Sequence, residues 1–184
     1  QGRALLEIGP GGSPSGLPGS AMGVATGAPD AGAWTFLDAA ASADRVQGRW
    51  EDGLPFSNAT FDIVFASHVL EHVPWFATVD ALAEARRVLK PEGALEVWVP
   101  DLHKLVEGYI GSDDAMVKDA WYRHNPTRDV TTWFTGRLFS YGPAEDNFHR
   151  AAFDATHLTA CLRAAGFDHV RKLDAPRGGH DHGF

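Results

Sequence analysis

The stretch His68-Val69-Leu70-Glu71-His72 sets two imidazoles around a carboxylate. On an α-helix, histidines four residues apart share a face and can hold zinc, with the acid between them as a base. H-x-x-E-H is the inverted form of that protease signature. A second place is His149 in Asn147-Phe148-His149-Arg150, ahead of an amphipathic run, where it could take a proton from a substrate. A third place for chemistry is Glu7-Ile8-Gly9-Pro10-Gly11-Gly12. An apolar run ends in a glycine turn there, with a carboxylate two residues before the first glycine. The glycines let a backbone approach a ligand closely, although any tight turn uses glycine.

The elements that would position these residues alternate. Leu5, Leu6 and Ile8 belong to a strand over residues 4–8, with further strands over 33–38, 61–67 and 94–101. A short strand is expected near Val46–Trp50, and a last one over 169–175. His68 to Val73 begins a helix that Pro74 interrupts, and residues 78–90 repeat apolar positions at helical spacing. Residues 102–110 and 154–167 read as helices, the second with Asp154 or Thr156 as N-cap and Gly166 closing it. Residues 9–33 are rich in Gly, Pro, Ser and Ala and read as a loop; residues 111–148 read as irregular and aromatic. Alternating strands and helices imply an α/β sandwich with a mostly parallel sheet, whose ligands sit at the carboxyl ends of the strands.

The 184 residues suffice for one domain, and 44% hydrophobic with 22% charged residues is ordinary for a folded protein. A net charge of −8 disfavours non-specific binding to nucleic acid or anionic lipid. Cys161 has no internal disulfide partner and reads as a small core residue. No apolar run nears the ~20 residues that span a bilayer, and no signal-peptide pattern precedes the first strand. The expectation is a soluble, cytoplasmic protein. The first strand begins almost at residue 1, so either an upstream piece has been lost or the fold lacks a leading helix.

The glycine turn discriminates between nucleotide ligands. NAD binding needs a third glycine, a helix at once and an acid about 20 residues on. Here Pro14 occupies the third glycine position and Asp38 comes later than that. The Gly-Lys-Ser/Thr of a phosphate loop is absent. Glu7 would repel a pyrophosphate but suits a cationic amino group, while glycine amides suit a carboxylate. Those are the two ends of an amino acid moiety.

Glu7-Ile8-Gly9-Pro10-Gly11 matches E/D-x-G-x-G, and at this point the chain resembles the class I S-adenosylmethionine-dependent methyltransferases. Three further blocks carry the resemblance in order: residues 54–74 (L-P-F, F-D-x-V, L-E-H-V), 84–101 (R-V-L-K-P-x-G) and 157–170 (L, A-G-F-x-x-V). Together they span most of the chain and are most similar to small, type 11-like predicted methyltransferases. The resemblance implies a three-layer sandwich with a Rossmann-like seven-stranded sheet, its last strand antiparallel, in a single domain over residues 1–184. It implies S-adenosylmethionine as cofactor and a small-molecule or glycan-like acceptor. It places Glu7, Gly9, Pro10, Gly11 and Gly12 at the methionine part, Asp38 at the ribose, and Ser67 and His68 beside the sulfonium. One or more of Trp50, Glu51 and Asp52 would meet the adenine, in a turn one residue longer than the family's. Asp38 could equally cap the stretch that follows it, and His68 could cap a helix.

The same resemblance makes residues 111–150 an acceptor-side insertion, with His149 as the candidate base or else a surface-loop histidine, and Trp121, Trp133 and Phe134 as possible lining or as that insertion's private core. It accounts for Glu71-His72 as a packing and hydrogen-bonding pair, so no metal is expected. Two alternatives remain: a degenerate methyltransferase fold acting as a binding or regulatory module, suggested by the helix-poor residues 12–33, and a zinc hydrolase through His68, Glu71 and His72. The oligomeric state is left open.

Overall fold

The computed structural model describes residues 2–10, 33–111, 129–140 and 147–173. Its frame is a five-stranded sheet, with β1 Ala4–Ile8, β2 Ala33–Asp38, β3 Val46–Gln47, β4 Phe61–Ser67 and β5 Leu89–Trp98. The order is β3-β2-β1-β4-β5 and every pairing is parallel. The described helices are α1 Thr78–Val88, α2 Leu102–Gly111, α3 Val130–Phe139 and α4 Ala155–Ala164.

Strand alternation divides the core. Leu6, Ile8, Val64 and Ala66 bury one face of the sheet in a cluster that includes Ala81, Leu82, Ala85 and Val88 of α1 and Cys161 of α4. Leu5, Ile63 and Phe65 form a second cluster with Trp34 and Trp98. A period of two residues forces this split, and the central strands are apolar on both faces because both are covered. Glu7 falls in register between Phe36 and Phe65, so it belongs to the second face.

Leu54-Pro55-Phe56 and the Arg86-Arg87 helix, two blocks of the family resemblance, meet. Arg87 binds Glu84 through Nε and Nη2, both at 2.8 Å. The same guanidinium donates to the Leu54 and Phe56 carbonyls and to Asn58 Oδ1, each at 2.8 Å. Glu84 in turn accepts from the Leu54 amide at 2.9 Å. One planar fork thus fastens the loop before β4 to α1, a task a lysine point charge cannot repeat. Arg87→Ala is expected to cost about 2 kcal/mol in denaturant unfolding, with Arg87→Lys recovering less than half. Arg87 holds the Glu84 carboxyl below the usual carboxylate range, and Lys90 with the Ala4 amide does the same for Asp62. Depressed folded-state values mean the two acids stabilise the fold above the ordinary carboxylate range. That contribution is lost as pH falls through their lowered values. The acid limb of a stability profile should therefore become shallower in Arg87→Ala.

The structure corrects several expectations. Five strands are found among the described residues, all parallel; residues 169–173 are not a strand, and 174 and 175 lie outside the description. The antiparallel seventh strand is therefore not seen there. β5 starts at Leu89, straight from the end of α1, and not at residue 94. Lys90–Gly93 bulge out between the Phe61–Leu89 and Ile63–Ala94 pairs, where Pro91 has no N–H to give a ladder. Residues 130–139 are helical, capped by Asp129, whose Oδ1 accepts from the Thr132 amide at 2.8 Å. Within that helix Trp133 is 1% exposed and packs with Leu105 of α2, so it is the private core of this pair and lines no acceptor site.

Candidate functional site

The parallel order sends β1's neighbours away in opposite directions, β2 on one side and β4 on the other. Such a switch point opens a crevice beyond the strand ends. Four sequence-expected residues arrive at that edge: Gly9 after β1, Asp38 at the end of β2, and Ser67 and His68 at the end of β4. Glu7, two residues before Gly9, is 4% exposed. Gly11 and Gly12, like Trp121, lie outside the described residues.

Gly9 has φ +67° and its amide donates to the Leu37 carbonyl at 2.8 Å. A Cβ there would collide with the side chain of Val69. Packing alone thus demands glycine at this turn, whatever the turn binds. Pro10 is buried beside it. Asp38 caps no helix: its Oδ1 accepts from the Ala40 amide at 3.0 Å and its Oδ2 pairs with Arg45 Nη1 at 3.1 Å. Trp50 departs from the adenine expectation. It is 2% exposed, lies in the main core, and its indole N–H donates to the Ala81 carbonyl of α1 at 2.6 Å. Glu51 and Asp52, on the same 3-10 turn, keep access to solvent.

The H-x-x-E-H segment is not an α-helix. Leu70–His72 make a single 3-10 turn, and His68 stands before it with φ +55°. A 3-10 turn aligns residues three apart, so His68 meets Glu71 and not His72. His68 Nδ1 lies 3.2 Å from Glu71 Oε1. The helix-face pairing of His68 with His72 that a zinc hydrolase needs is therefore missing, as is a helix for His68 to cap. A left-handed histidine at a strand's carboxyl end is the kind of backbone strain that a site retains.

His149 comes to this edge through the backbone. The Arg150 and Ala151 amides donate to the Glu71 carbonyl at 2.7 and 3.1 Å, and the Trp75 amide donates to the Arg150 carbonyl at 3.3 Å. Asp101 and Phe153 then make a parallel bridge, and the Leu102 amide donates to the Phe153 carbonyl at 2.7 Å. The chain ahead of α4 is thereby laid along the carboxyl end of β4. The rings of His72 and His149 stand 5.0 Å apart, edge to face. A small cleft opens here between Glu71, Pro100, Leu102, Arg137, His149 and Phe153. Burial pushes the His149 pKa down, reinforced by His72 and His68 and opposed by the Glu71 carboxylate. Glu71 is 1% exposed, where the resemblance implies a packing and hydrogen-bonding residue. Its closeness to His149 has no signal in the local spacing.

A family model described as a methyltransferase domain matches residues 24–97, the span from before β2 through most of β5. It leaves out Glu7 and Gly9. A methyltransferase from Archaeoglobus fulgidus, described as S-adenosylmethionine-dependent, is 16% identical with a TM-score of 0.52; the match covers 90% of this chain and 61% of that one. The chain has the fold of the class I S-adenosylmethionine-dependent methyltransferases. The trans-methyltransferase CalH, solved with S-adenosylhomocysteine, matches the same methyltransferase fold at 20% identity with a TM-score of 0.52, over 91% of this chain and 45% of that one. An uncharacterized protein of Methanocaldococcus jannaschii, MJ0638, is 43% identical over 60 residues, 33% of this chain and 25% of that protein. The chain thus spans about a quarter of the length of the curated relatives it matches. No described helix is long and apolar enough to cross a membrane.

Proposed function

We propose that this protein binds S-adenosylmethionine at the carboxyl edge of its sheet and transfers the methyl group to a small-molecule or glycan-like acceptor. The observation that carries the reading is the buried Glu7 carboxylate, two residues before the positive-φ turn at Gly9, at the switch between β2 and β4. An acid there suits a cationic amino group and disfavours a pyrophosphate. CalH, which shares the fold, was solved with the product form of this cofactor.

The cofactor supplies the reactivity, a sulfonium whose methyl group leaves as an electrophile. The protein's part is to hold and align. In this reading Glu7, Gly9 and Pro10, with Gly11 and Gly12, receive the amino acid end. Asp38 receives the ribose, sharing its carboxylate with Arg45. Glu51 and Asp52 receive the adenine side, with Trp50 behind them as core. Ser67 and His68 border the reacting end. Residues 111–150 frame the acceptor side, and His149 stands where a proton leaving the acceptor could be taken.

His149→Ala tests this division. Turnover of a responsive acceptor is expected to fall by about 10²–10⁴-fold if His149 takes a proton. Affinity for S-adenosylhomocysteine is expected to stay within about threefold, under 1 kcal/mol. Loss of cofactor binding in a folded His149→Ala chain would instead put His149 in the cofactor site.

A further inference from the structure

Glu71, His72 and His149 each offer a donor atom, and those atoms lie within 4.8 Å of one another. Glu71 and His72 are each held by a contact that leaves one donor over. Glu71 engages His68 through Oε1, while its buried Oε2 has no hydrogen-bond partner among the described residues. His72 Nδ1 lies 3.2 Å from the Phe148 carbonyl, so that nitrogen carries the proton and Nε2 keeps its lone pair. His149 stands beside it, half-buried, with its ring 5.0 Å from that of His72. Histidines that donate one N–H to a carbonyl and present the other nitrogen are how proteins prepare imidazole for a metal. A buried carboxylate oxygen without a partner is costly, and a cation satisfies it.

We propose that Glu71, His72 and His149 form a binding site for a divalent first-row transition ion. Two imidazoles and one carboxylate favour zinc and its neighbours over magnesium or calcium, which take oxygen ligands. Donors of one such ion each stand about 2.0–2.2 Å from it. Donors up to 4.8 Å apart must draw together slightly to reach that distance. Three protein ligands leave a coordination position open, and Glu71 and His149 line the cleft. The site differs from the one the H-x-x-E-H spacing suggests: His149 takes the place of His68. It also reverses the expectation that this segment holds no metal.

The ion site stands without the cofactor reading; only its use on an acceptor rests on that reading. With the ion bound His149 is a ligand, and proton removal by His149 itself belongs to the ion-free chain. An acceptor hydroxyl on the open position becomes more acidic, and its proton leaves to solvent.

The test uses the full chain, stripped with chelator and titrated with zinc by calorimetry and with cobalt by visible absorption, without cofactor. One ion per chain is expected. Glu71→Gln and His149→Ala should each weaken binding by about tenfold or more. The surface variant His103→Ala, and the double variant His180→Ala with His182→Ala in the histidine-containing tail, should leave it unchanged. Zinc should also raise the melting temperature of the wild type and not of His149→Ala. If Glu71→Gln fails to fold by circular dichroism, His149→Ala decides alone, because its side chain is half-buried on a loop. Absence of stoichiometric binding at micromolar zinc overturns the proposal. So does binding that survives His149→Ala, or that disappears with the tail histidines. Because no cofactor is present, failure here leaves the methyl-transfer reading standing, and failure of cofactor binding leaves this site standing.

Discussion

Gly9→Val is expected to destabilise the chain by about 4 kcal/mol, adding left-handed strain in a β-branched residue to overpacking. Gly9 sits at φ +67°, and any Cβ there would run into Val69. A loss of that size is a large fraction of the 5–15 kcal/mol that holds a typical domain together. The two causes separate in a double-mutant cycle. Val69→Ala removes the methyl groups that the new side chain meets, so Gly9→Ala should cost less in that background than in the wild type. Denaturant unfolding of the four proteins measures the coupling. A loss below about 1 kcal/mol in Gly9→Val would mean that the fold does not require glycine at this turn. The case for a ligand approaching it would then be stronger.

The second large effect is expected at Trp50. Trp50→Ala should cost about 4 kcal/mol, from the cavity left among the core residues and from the Ala81 carbonyl that loses its donor. Trp50 is 2% exposed and its indole bond is 2.6 Å long. Trp50→Phe keeps most of the volume and loses the hydrogen bond, so about 1–2 kcal/mol is expected. The same variant distinguishes core from site. Its affinity for S-adenosylhomocysteine should match the wild type within about threefold. A larger loss in a folded Trp50→Phe chain would return Trp50 to the adenine contact.

The strands of the sheet's centre were legible because burial on both faces leaves continuous apolar runs, as in Leu5, Leu6 and Ile8 or in Phe61 to Ala66. Asp154 was legible as a cap because an acid before a helical period has few other uses; its Oδ1 accepts from the His157 amide at 2.7 Å. Gly166 follows α4 at φ +91°, the conformation that only glycine adopts freely. α3 was not legible. Val130-Thr131-Thr132-Trp133 are poor helix formers, and tertiary packing of Trp133 on Leu105 overrides their preference. The segment at His68 was misread for a related reason. Pro74 leaves room for one turn only, so a 3-10 geometry pairs His68 with Glu71. Trp50 and Trp133 showed the limit of composition: an aromatic residue in a loop or insertion reads the same whether it faces a ligand or the core. The meeting of Glu71 with His149 depends on the Arg150 and Ala151 amides reaching the Glu71 carbonyl, a non-local contact that no spacing rule contains.

The measurement that bears most directly on the function is a calorimetric titration of the full chain with S-adenosylhomocysteine, alongside Glu7→Gln. Saturable binding of one ligand per chain is expected. Glu7→Gln keeps the shape of the side chain and removes its charge, so it should weaken binding by about tenfold, or 1.4 kcal/mol, in a chain whose circular dichroism is unchanged. No saturable binding to a folded wild-type chain, or equal affinity in the two proteins, would contradict the assignment of Glu7 and the edge beside it to the cofactor.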